Sequence, residues 1–267
     1  WTRLMPEEFK RLRGYDLTPL LPVLAGRVIE SREQSMRFLN DFRRTLADLM
    51  TEKKYENFSN KAQAYGLGIH PESGGPHAGP MDAMRNLGVS DIPMGEFWSR
   101  SPRHRTDPAK RFYVKQTTSV AHTYGRRLSM AEAFTNIGRH WQHDPRSLKP
   151  TFDRAACEGH NLSMWHTFPS SKAEHGQPGA AYFAGEHLGP NITWWDQAHA
   201  FIDYMNRCHF MLQQGLSRND VLYFYGENIP AFVRLKSDDP ARCLPGFDYD
   251  AIDKRALLER TTVDHRG

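Results

Sequence analysis

Apolar residues recur along this chain at the spacing of helices. Between residues 33 and 65 they lie three or four positions apart, as on one face of an α-helix, with an interruption near residues 53–55. Gly66 follows this segment, and glycine commonly ends a helix because it adopts the left-handed conformation without strain. The same spacing predicts further helices at residues 110–124, 152–158 and 195–214.

Short apolar runs, most of them following a predicted helix, each end in a polar residue. The runs and their polar residues are 67–71 with Glu72, 92–95 with Glu96, 128–131 with Glu132, 162–165 with His166, and 221–226 with Glu227. Helices that alternate with short buried strands are typical of parallel β/α units. We therefore expect an α/β fold, a (β/α)8 barrel that is incomplete here because only about five strands are recognisable.

The polar residues after these strands indicate where chemistry takes place. If the strands are parallel, their carboxyl ends meet at one face, which carries the active site in (β/α)8 barrels. Grouped carboxylates suit acid/base catalysis at a glycosidic bond or the coordination of Ca²⁺ or Mg²⁺. Like charges raise one another's pKa unless a cation neutralises them, so we expect a metal ion at this face.

Tryptophans near the predicted strand ends favour a sugar ligand. Trp98 follows Glu96 by two residues, Trp165 precedes His166, and Trp194 and Trp195 open the last predicted helix. Aromatic faces can stack on pyranose rings, and packing inside the core is the alternative that stays open for each of them. A long loop, residues 167–193, is rich in Gly, Pro and Ser, and loops of this length often carry function.

Composition excludes several classes of protein. The 267 residues carry 35 Lys and Arg against 31 Asp and Glu, a net charge of +4, without the long basic runs of a nucleic-acid binder. No apolar stretch approaches the roughly 18 residues of a membrane span. Cys157, Cys208 and Cys243 form no CxxC pair, which argues against a zinc site or a disulfide framework. We place His140 and His143 in an exposed loop.

Several segments, in order over nearly the whole chain, resemble glycoside hydrolase family 106, the calcium-dependent alpha-L-rhamnosidases. These segments are Phe9-Lys-Arg-Leu-Arg-Gly-Tyr-Asp-Leu17, Phe38-Leu-Asn-Asp-Phe-Arg-Arg-Thr45, Ile92-Pro-Met-Gly-Glu-Phe-Trp98, Met130-Ala-Glu-Ala-Phe134, Thr193-Trp-Trp-Asp-Gln-Ala198, Gln213-Gln-Gly215 and Val221-Leu-Tyr-Phe-Tyr-Gly-Glu227. Together they are specific, whereas any one alone is not.

The resemblance implies a (β/α)8 catalytic domain, inverting hydrolysis of terminal alpha-linked L-rhamnose, and Ca²⁺ at the sugar hydroxyls. By position, Glu132 is similar to the general base that activates water, and Glu96 is similar to a calcium ligand. Glu72 and His166 are similar to residues that line the sugar pocket. The motifs around both depart from the family, which more often has His-Ala-Glu at Glu72 and lacks the Thr-Phe-Pro that follows His166.

The resemblance also implies a larger enzyme. The family's general acid belongs to an Asp-Ser-Trp-Glu motif that would precede Trp1, so we expect a fragment that lacks the acid and has little activity alone. Residues 1–245 would then form a partial barrel, and residues 246–267 would begin the connection to a following domain. The expected partners are a rhamnose-containing oligosaccharide or polysaccharide and other domains of the same chain.

Two other functions fit the residues. One is a barrel that binds sugar without hydrolysing it. The other is a retaining glycosidase of another barrel family, which needs two catalytic carboxylates about 5 Å apart, with Glu72 and Glu132 as the candidate pair.

Overall fold

The strands that the structure describes lie in two parallel sheets with flanking helices. The computed structural model describes residues 2–73, 79–99, 113–224, 226–230, 233 and 246–263. The strands are β1 (Met94–Trp98), β2 (Met130–Thr135), β3 (Leu162–Trp165), β4 (Val221–Phe224) and β5 (Tyr249–Ile252). One sheet has the order β1–β2–β3, the other pairs β4 with β5, and every pairing is parallel. The α/β class is confirmed, but the described strands do not form a complete (β/α)8 barrel.

The helices alternate with the strands over much of the chain. They are α1 (Met5–Arg13), α2 (Arg32–Met50), α3 (Asn57–Ala64), α4 (Ala83–Val89), α5 (Val114–Thr123), α6 (Pro145–Cys157), α7 (Ala198–Leu212) and α8 (Lys254–Arg260). None of the described helices has both the length and the apolar character needed to cross a bilayer.

The predicted helix at residues 33–65 exists, with its interruption where the pattern placed it. Between α2 and α3 the backbone forms a π-helical turn, Thr51–Glu56, so that the helical segment continues to Ala64. An inserted π turn shifts the side chains that follow it around the helix axis, and such turns are frequent at functional sites.

Helix α6 begins seven residues before the predicted start at residue 152. Pro145 occupies the first turn, where the missing N–H costs nothing, and Asp144 caps the helix by accepting a hydrogen bond from the Ser147 N–H. Pro150 also lies inside the helix. The two prolines and the capping Asp hid this start, because each is more common in loops.

The main core lies between the three-stranded sheet and the helices α6 and α7. Phe97 of β1, Phe134 of β2, Phe152 of α6 and Phe201 of α7 are all buried in one cluster. The Phe97 and Phe134 rings meet edge to face with centroids 5.1 Å apart, a favoured aromatic geometry. This packing fixes β1 and β2, which carry Glu96 and Glu132.

A second cluster joins the other sheet to the fold. Met84 and Leu87 of α4, Val120 of α5, Ile252 of β5 and Ala256 of α8 pack together. The sequence patterns did not predict β5 or α8, and the boundary proposed at residues 245–246 stays a prediction. The run at residues 67–71 was predicted as a strand; in the structure only an isolated parallel bridge forms there, from Glu72 to Met94.

Some predictions lie outside the described residues, among them the helix start at 110–112 and Cys243. Of the other two cysteines, Cys157 is exposed and Cys208 is half-buried, and both are free.

Candidate active site

Glu72, Glu96 and Glu132 come together on the three-stranded sheet, where Glu96 and Glu132 lie inside β1 and β2 and Glu72 lies at the edge of β1. Each offers one carboxylate oxygen, and these three oxygens lie within 4.8 Å of one another. The register explains the grouping, because Glu96 of β1 pairs directly with Glu132 of β2. Glu72 joins them through its parallel bridge to Met94, two residues before Glu96. The sequence prediction that these three residues share a face is confirmed.

The backbone at Glu72 is held by the π-helical turn. The Tyr55 hydroxyl donates a hydrogen bond to the Glu72 carbonyl oxygen at 2.8 Å, and Tyr55 is buried. The next residue, Ser73, accepts a hydrogen bond from Asn86 on its hydroxyl and one from Gln116 on its carbonyl oxygen. The irregular turn in the long helical segment therefore positions a site residue.

The carboxyl group of Glu72 has a raised pKa. Although Glu72 is exposed as a whole residue, the protein packed around its carboxyl group removes part of its hydration. This burial, together with the neighbouring Glu132 carboxylate, raises the pKa of Glu72 to about 7, while His166 acts in the opposite direction. Glu72 therefore exchanges a proton near neutral pH in the absence of a cation.

The carboxyl group of Glu132 has a lowered pKa, in contrast to that of Glu72. Burial by itself would raise the pKa of this carboxyl group, but hydrogen bonds from His166 and Thr135 outweigh burial and lower it. His166 Nδ1 lies 3.1 Å from Glu132 Oε1, and the Thr135 hydroxyl donates to the same oxygen. Glu132 is therefore an ionised carboxylate at neutral pH, and His166, the residue after β3, is its direct neighbour.

Glu96 is the most deeply placed of the three carboxylates, with 5% of its surface exposed. Its carbonyl oxygen accepts a hydrogen bond from the Tyr113 N–H at 2.9 Å, which ties the strand to the start of α5. The preceding Gly95 allows this approach, because a Cβ there would overlap the Thr117 hydroxyl and lie 2.5 Å from the Tyr113 carbonyl oxygen.

Glu227 does not join this group, so its predicted place at the shared face is wrong. It follows β4, which belongs to the other sheet, and its carboxylate pairs with Lys254 at 3.0 Å and Arg44 at 2.9 Å. The hydrogen bond from Lys254 lowers the pKa of Glu227 more than partial burial raises it. Glu227 is therefore a partner in surface ion pairs.

Three of the described tryptophans pack inside the protein. Trp98 is 4% exposed and cannot stack on a ligand. Trp165 packs on Phe134 with ring centroids 4.9 Å apart, and Trp194 donates a hydrogen bond from Nε1 to the His143 carbonyl oxygen. Among the described tryptophans, Trp141 is exposed and lines a crevice of about 340 Å³ beside the 167–193 loop.

The sequence patterns missed Glu186, which lies in that long loop. Its carboxylate is 5% exposed and accepts hydrogen bonds from Ser99 and Asn136, the residues directly after β1 and β2. His143, which was predicted to be exposed, is largely buried and has Nδ1 2.7 Å from the same carboxylate oxygen. No periodic pattern marks Glu186, because its partners lie 43 or more residues away; the length of the loop was the one available signal.

The fold and the site define a β/α protein with a carboxylate-rich centre on adjacent parallel strands, and neighbouring carboxylates are the groups that glycoside hydrolases use. A family model for alpha-L-rhamnosidase, glycoside hydrolase family 106, matches residues 1–267. The chain therefore belongs to the alpha-L-rhamnosidase family.

Two similar proteins match nearly the whole length of this chain. The rhamnosidase from Novosphingobium sp. PP1Y superposes with a TM-score of 0.77 at 34% identity, over 97% of this chain and 25% of that one. A protein of Formosa agariphila named "Putative beta-glucuronidase" is 39% identical over 259 residues, 97% of this chain and 21% of the relative. The chain thus spans a quarter or less of the length of both.

Proposed function

We propose that the protein carrying this chain releases terminal alpha-linked L-rhamnose from glycosides or polysaccharides, with Glu132 as the carboxylate that reacts. The observation that carries the proposal is the grouping of Glu72, Glu96 and Glu132 on the three-stranded sheet in a member of the alpha-L-rhamnosidase family. Such a group can bind sugar hydroxyls and take a proton at the glycosidic centre.

Glu132 is suited to act as a general base. Its lowered pKa keeps it ionised at neutral pH, and His166 and Thr135 hold Oε1 in a fixed position. A carboxylate so placed can accept a proton from the water that attacks the anomeric carbon, and a positioned base contributes about 10²- to 10⁴-fold to rate. His166 and Glu72 flank it, and the proposal assigns both to contacts with the sugar.

Calcium fits the arrangement of the three carboxylates. Ca²⁺ takes oxygen ligands at about 2.4 Å, so two ligands of one ion are at most about 4.8 Å apart, and the three glutamate oxygens meet this limit. The buried Glu96 would hold the ion, with Glu72 and Glu132 in reach. When bound, calcium would favour the ionised form of Glu72, whose pKa is raised by burial and by the charge of Glu132, and would orient sugar hydroxyls.

The proposed stereochemistry is inversion, as the family resemblance implies. Inversion requires a second carboxyl group about 6.5–9.5 Å from the base, with room for a water molecule between substrate and base. Glu72 and Glu96 are both too close to Glu132 for this role. The proposal therefore assigns the role of general acid to neither of them.

Retention is the second candidate, and one observation favours it. Glu72 and Glu132 have oxygens within 4.8 Å, close to the separation of about 5 Å in retaining enzymes. Their pKa values are also shifted in opposite directions, upward at Glu72 and downward at Glu132, as an acid and a nucleophile require. In this mechanism Glu72 would protonate the leaving oxygen and Glu132 would attack the sugar.

The deciding experiment is proton NMR of an aryl alpha-L-rhamnoside during hydrolysis by the natural full-length protein. Inversion gives beta-L-rhamnose as the first product, and retention gives alpha-L-rhamnose. An aryl beta-D-glucuronide serves as the matched substrate control. Hydrolysis of the glucuronide alone would overturn the proposed substrate, and binding of L-rhamnose without any hydrolysis would favour a non-catalytic sugar-binding barrel.

A further inference from the structure

Glu186 connects the ends of β1 and β2 through its side chain. The hydroxyl of Ser99 donates to Glu186 Oε1 at 2.6 Å, and the Asn136 side-chain amide donates to the same oxygen at 2.9 Å. With His143 Nδ1 at 2.7 Å, this oxygen has three polar neighbours in a buried place. Hydrogen bonds to a buried carboxylate are strong and are costly to remove, so the side chain holds its loop firmly against both strand ends.

The backbone of Glu186 connects the same loop to β3. Its N–H donates to the His166 carbonyl oxygen at 2.7 Å, and its own carbonyl oxygen accepts from the Thr167 N–H at 2.8 Å. The neighbouring Gly185 donates to the Asn136 carbonyl oxygen at 2.6 Å. Gly185 has φ +86°, and a Cβ there would lie 2.5 Å from the His166 carbonyl oxygen, so only glycine allows this approach.

The backbone contacts of Glu186 lead to His166. Its backbone is fixed by Glu186, and its imidazole Nδ1 lies 3.1 Å from Glu132 Oε1. Glu186 itself is not among the residues around Glu132, since its carboxylate is used by Ser99, Asn136 and His143. A change at Glu186 can therefore reach Glu132 through the position of His166, and also through Asn136, the residue after Thr135, which donates to Glu132 Oε1.

We propose that Glu186 is a positioning residue, which sets the location of His166 and thereby the orientation of the Glu132 carboxylate. The proposal rests on the function proposed above in assigning the reaction to Glu132. A displacement of about 1 Å in a catalytic group can cost about 100-fold in rate. Loss of the Glu186 side chain is thus expected to lower kcat by a larger factor than it raises KM for the sugar, which His166 also contacts in the proposed function.

The kinetic test uses Glu186→Ala, Glu186→Gln, His166→Ala and the double variant Glu186→Ala/His166→Ala, all in the natural full-length protein. On an aryl alpha-L-rhamnoside, Glu186→Ala should lose about 10- to 100-fold in kcat, and Glu186→Gln should recover part of it because an amide oxygen still accepts two hydrogen bonds. The double variant should lose less than the product of the two single losses, since both changes act on the contact between His166 and Glu132. Independent, multiplicative losses would overturn the proposal.

A structural measurement keeps this test separate from the proposed function. Crystal structures of the wild-type protein, Glu186→Gln and Glu186→Ala give the distance from His166 Nδ1 to Glu132 Oε1 whether or not the protein hydrolyses a rhamnoside. The distance should lengthen in Glu186→Ala and stay shorter in Glu186→Gln. The matched control is Glu174→Ala, an exposed glutamate of the same loop that pairs only loosely with Lys172 at 3.5 Å. An unchanged His166 in Glu186→Ala would overturn the proposal.

Discussion

Glu96 and Glu132 are directly paired residues on the parallel strands β1 and β2. Parallel pairing brings their side chains out on the same face of the sheet, so that two carboxylates become neighbours. Like charges placed opposite each other destabilise a sheet. A fold that keeps them adjacent, with Glu72 beside them, gains from the arrangement only when a cation or a substrate uses it.

Calcium binding gives the first prediction. The natural full-length protein should bind Ca²⁺ in isothermal titration calorimetry, and Glu96→Gln should weaken binding at least about tenfold, because the substitution removes a buried anionic ligand. Glu174→Gln, an exposed change of the same kind, should leave the affinity unchanged. Equal calcium affinity in the wild type and Glu96→Gln would remove Glu96 as a ligand, and no binding by the wild type would remove the calcium proposal.

Gly95 gives a prediction about packing beside the site. Gly95→Ala should destabilise the protein by about 1–3 kcal/mol, since the new methyl group must push α5 away from β1, where Thr117 and Tyr113 approach the glycine. Thermal unfolding followed by circular dichroism measures the loss. Gly66→Ala is a contrasting control, because the space around Gly66 is open and its cost comes from φ +69° alone. A Gly95→Ala protein as stable as wild type would show that α5 has room to move.

Two buried histidines predict an acid-dependent loss of stability. Burial lowers the pKa of His160 to about 3 and that of His209 to about 4, so both are neutral in the folded protein. Histidine in the unfolded chain has a pKa near 6.5. Between pH 6.5 and the lowered pKa values the unfolded chain therefore binds more protons than the folded one. The stabilisation present above pH 6.5 is lost as the pH falls through this range. For His160 this amounts to about 2 kcal/mol between pH 6.5 and pH 5.

Urea unfolding at pH 7.5 and pH 5.0 measures this effect. His160→Gln should reduce the difference in unfolding free energy between the two pH values by about 2 kcal/mol relative to wild type. His199→Gln, at an exposed position away from His160 and His209, is the matched control and should leave the difference in unfolding free energy between the two pH values unchanged. A His160→Gln protein with the wild-type pH dependence would show that His160 titrates normally in the folded state.

The local patterns predicted much of the fold. Helical spacing located the segment from α2 to α3 together with its π turn. The pattern of apolar runs followed by polar residues located Glu72, Glu96, Glu132 and His166, although Glu96 and Glu132 lie inside β1 and β2 and not after them. The same rule was wrong for Glu227, because nothing local shows that β4 pairs with β5 and not with β1–β3.

Long-range contacts account for what the sequence could not predict. Glu186 accepts a hydrogen bond from Ser99, which lies 87 residues away, and no spacing rule relates two such positions. The start of α6 was missed because Pro145 and Pro150 usually indicate loops. Pro145 occupies the first turn, where no hydrogen bond is lost, whereas Pro150 lies inside the helix. The sequence predicted the site residues that strand pairing brings together, such as Glu96 and Glu132. It did not predict Glu186, which the packing of a loop brings to the strands.

The central claim is that Glu132 is the carboxylate that reacts. The most direct test compares kcat of the natural full-length wild type, Glu132→Gln and Glu174→Gln on an aryl alpha-L-rhamnoside at saturating substrate and calcium. Glu132→Gln should lower kcat by about 10²- to 10⁴-fold with little change in KM, while Glu174→Gln keeps the wild-type rate. A Glu132→Gln enzyme with a kcat near that of the wild type would contradict the account.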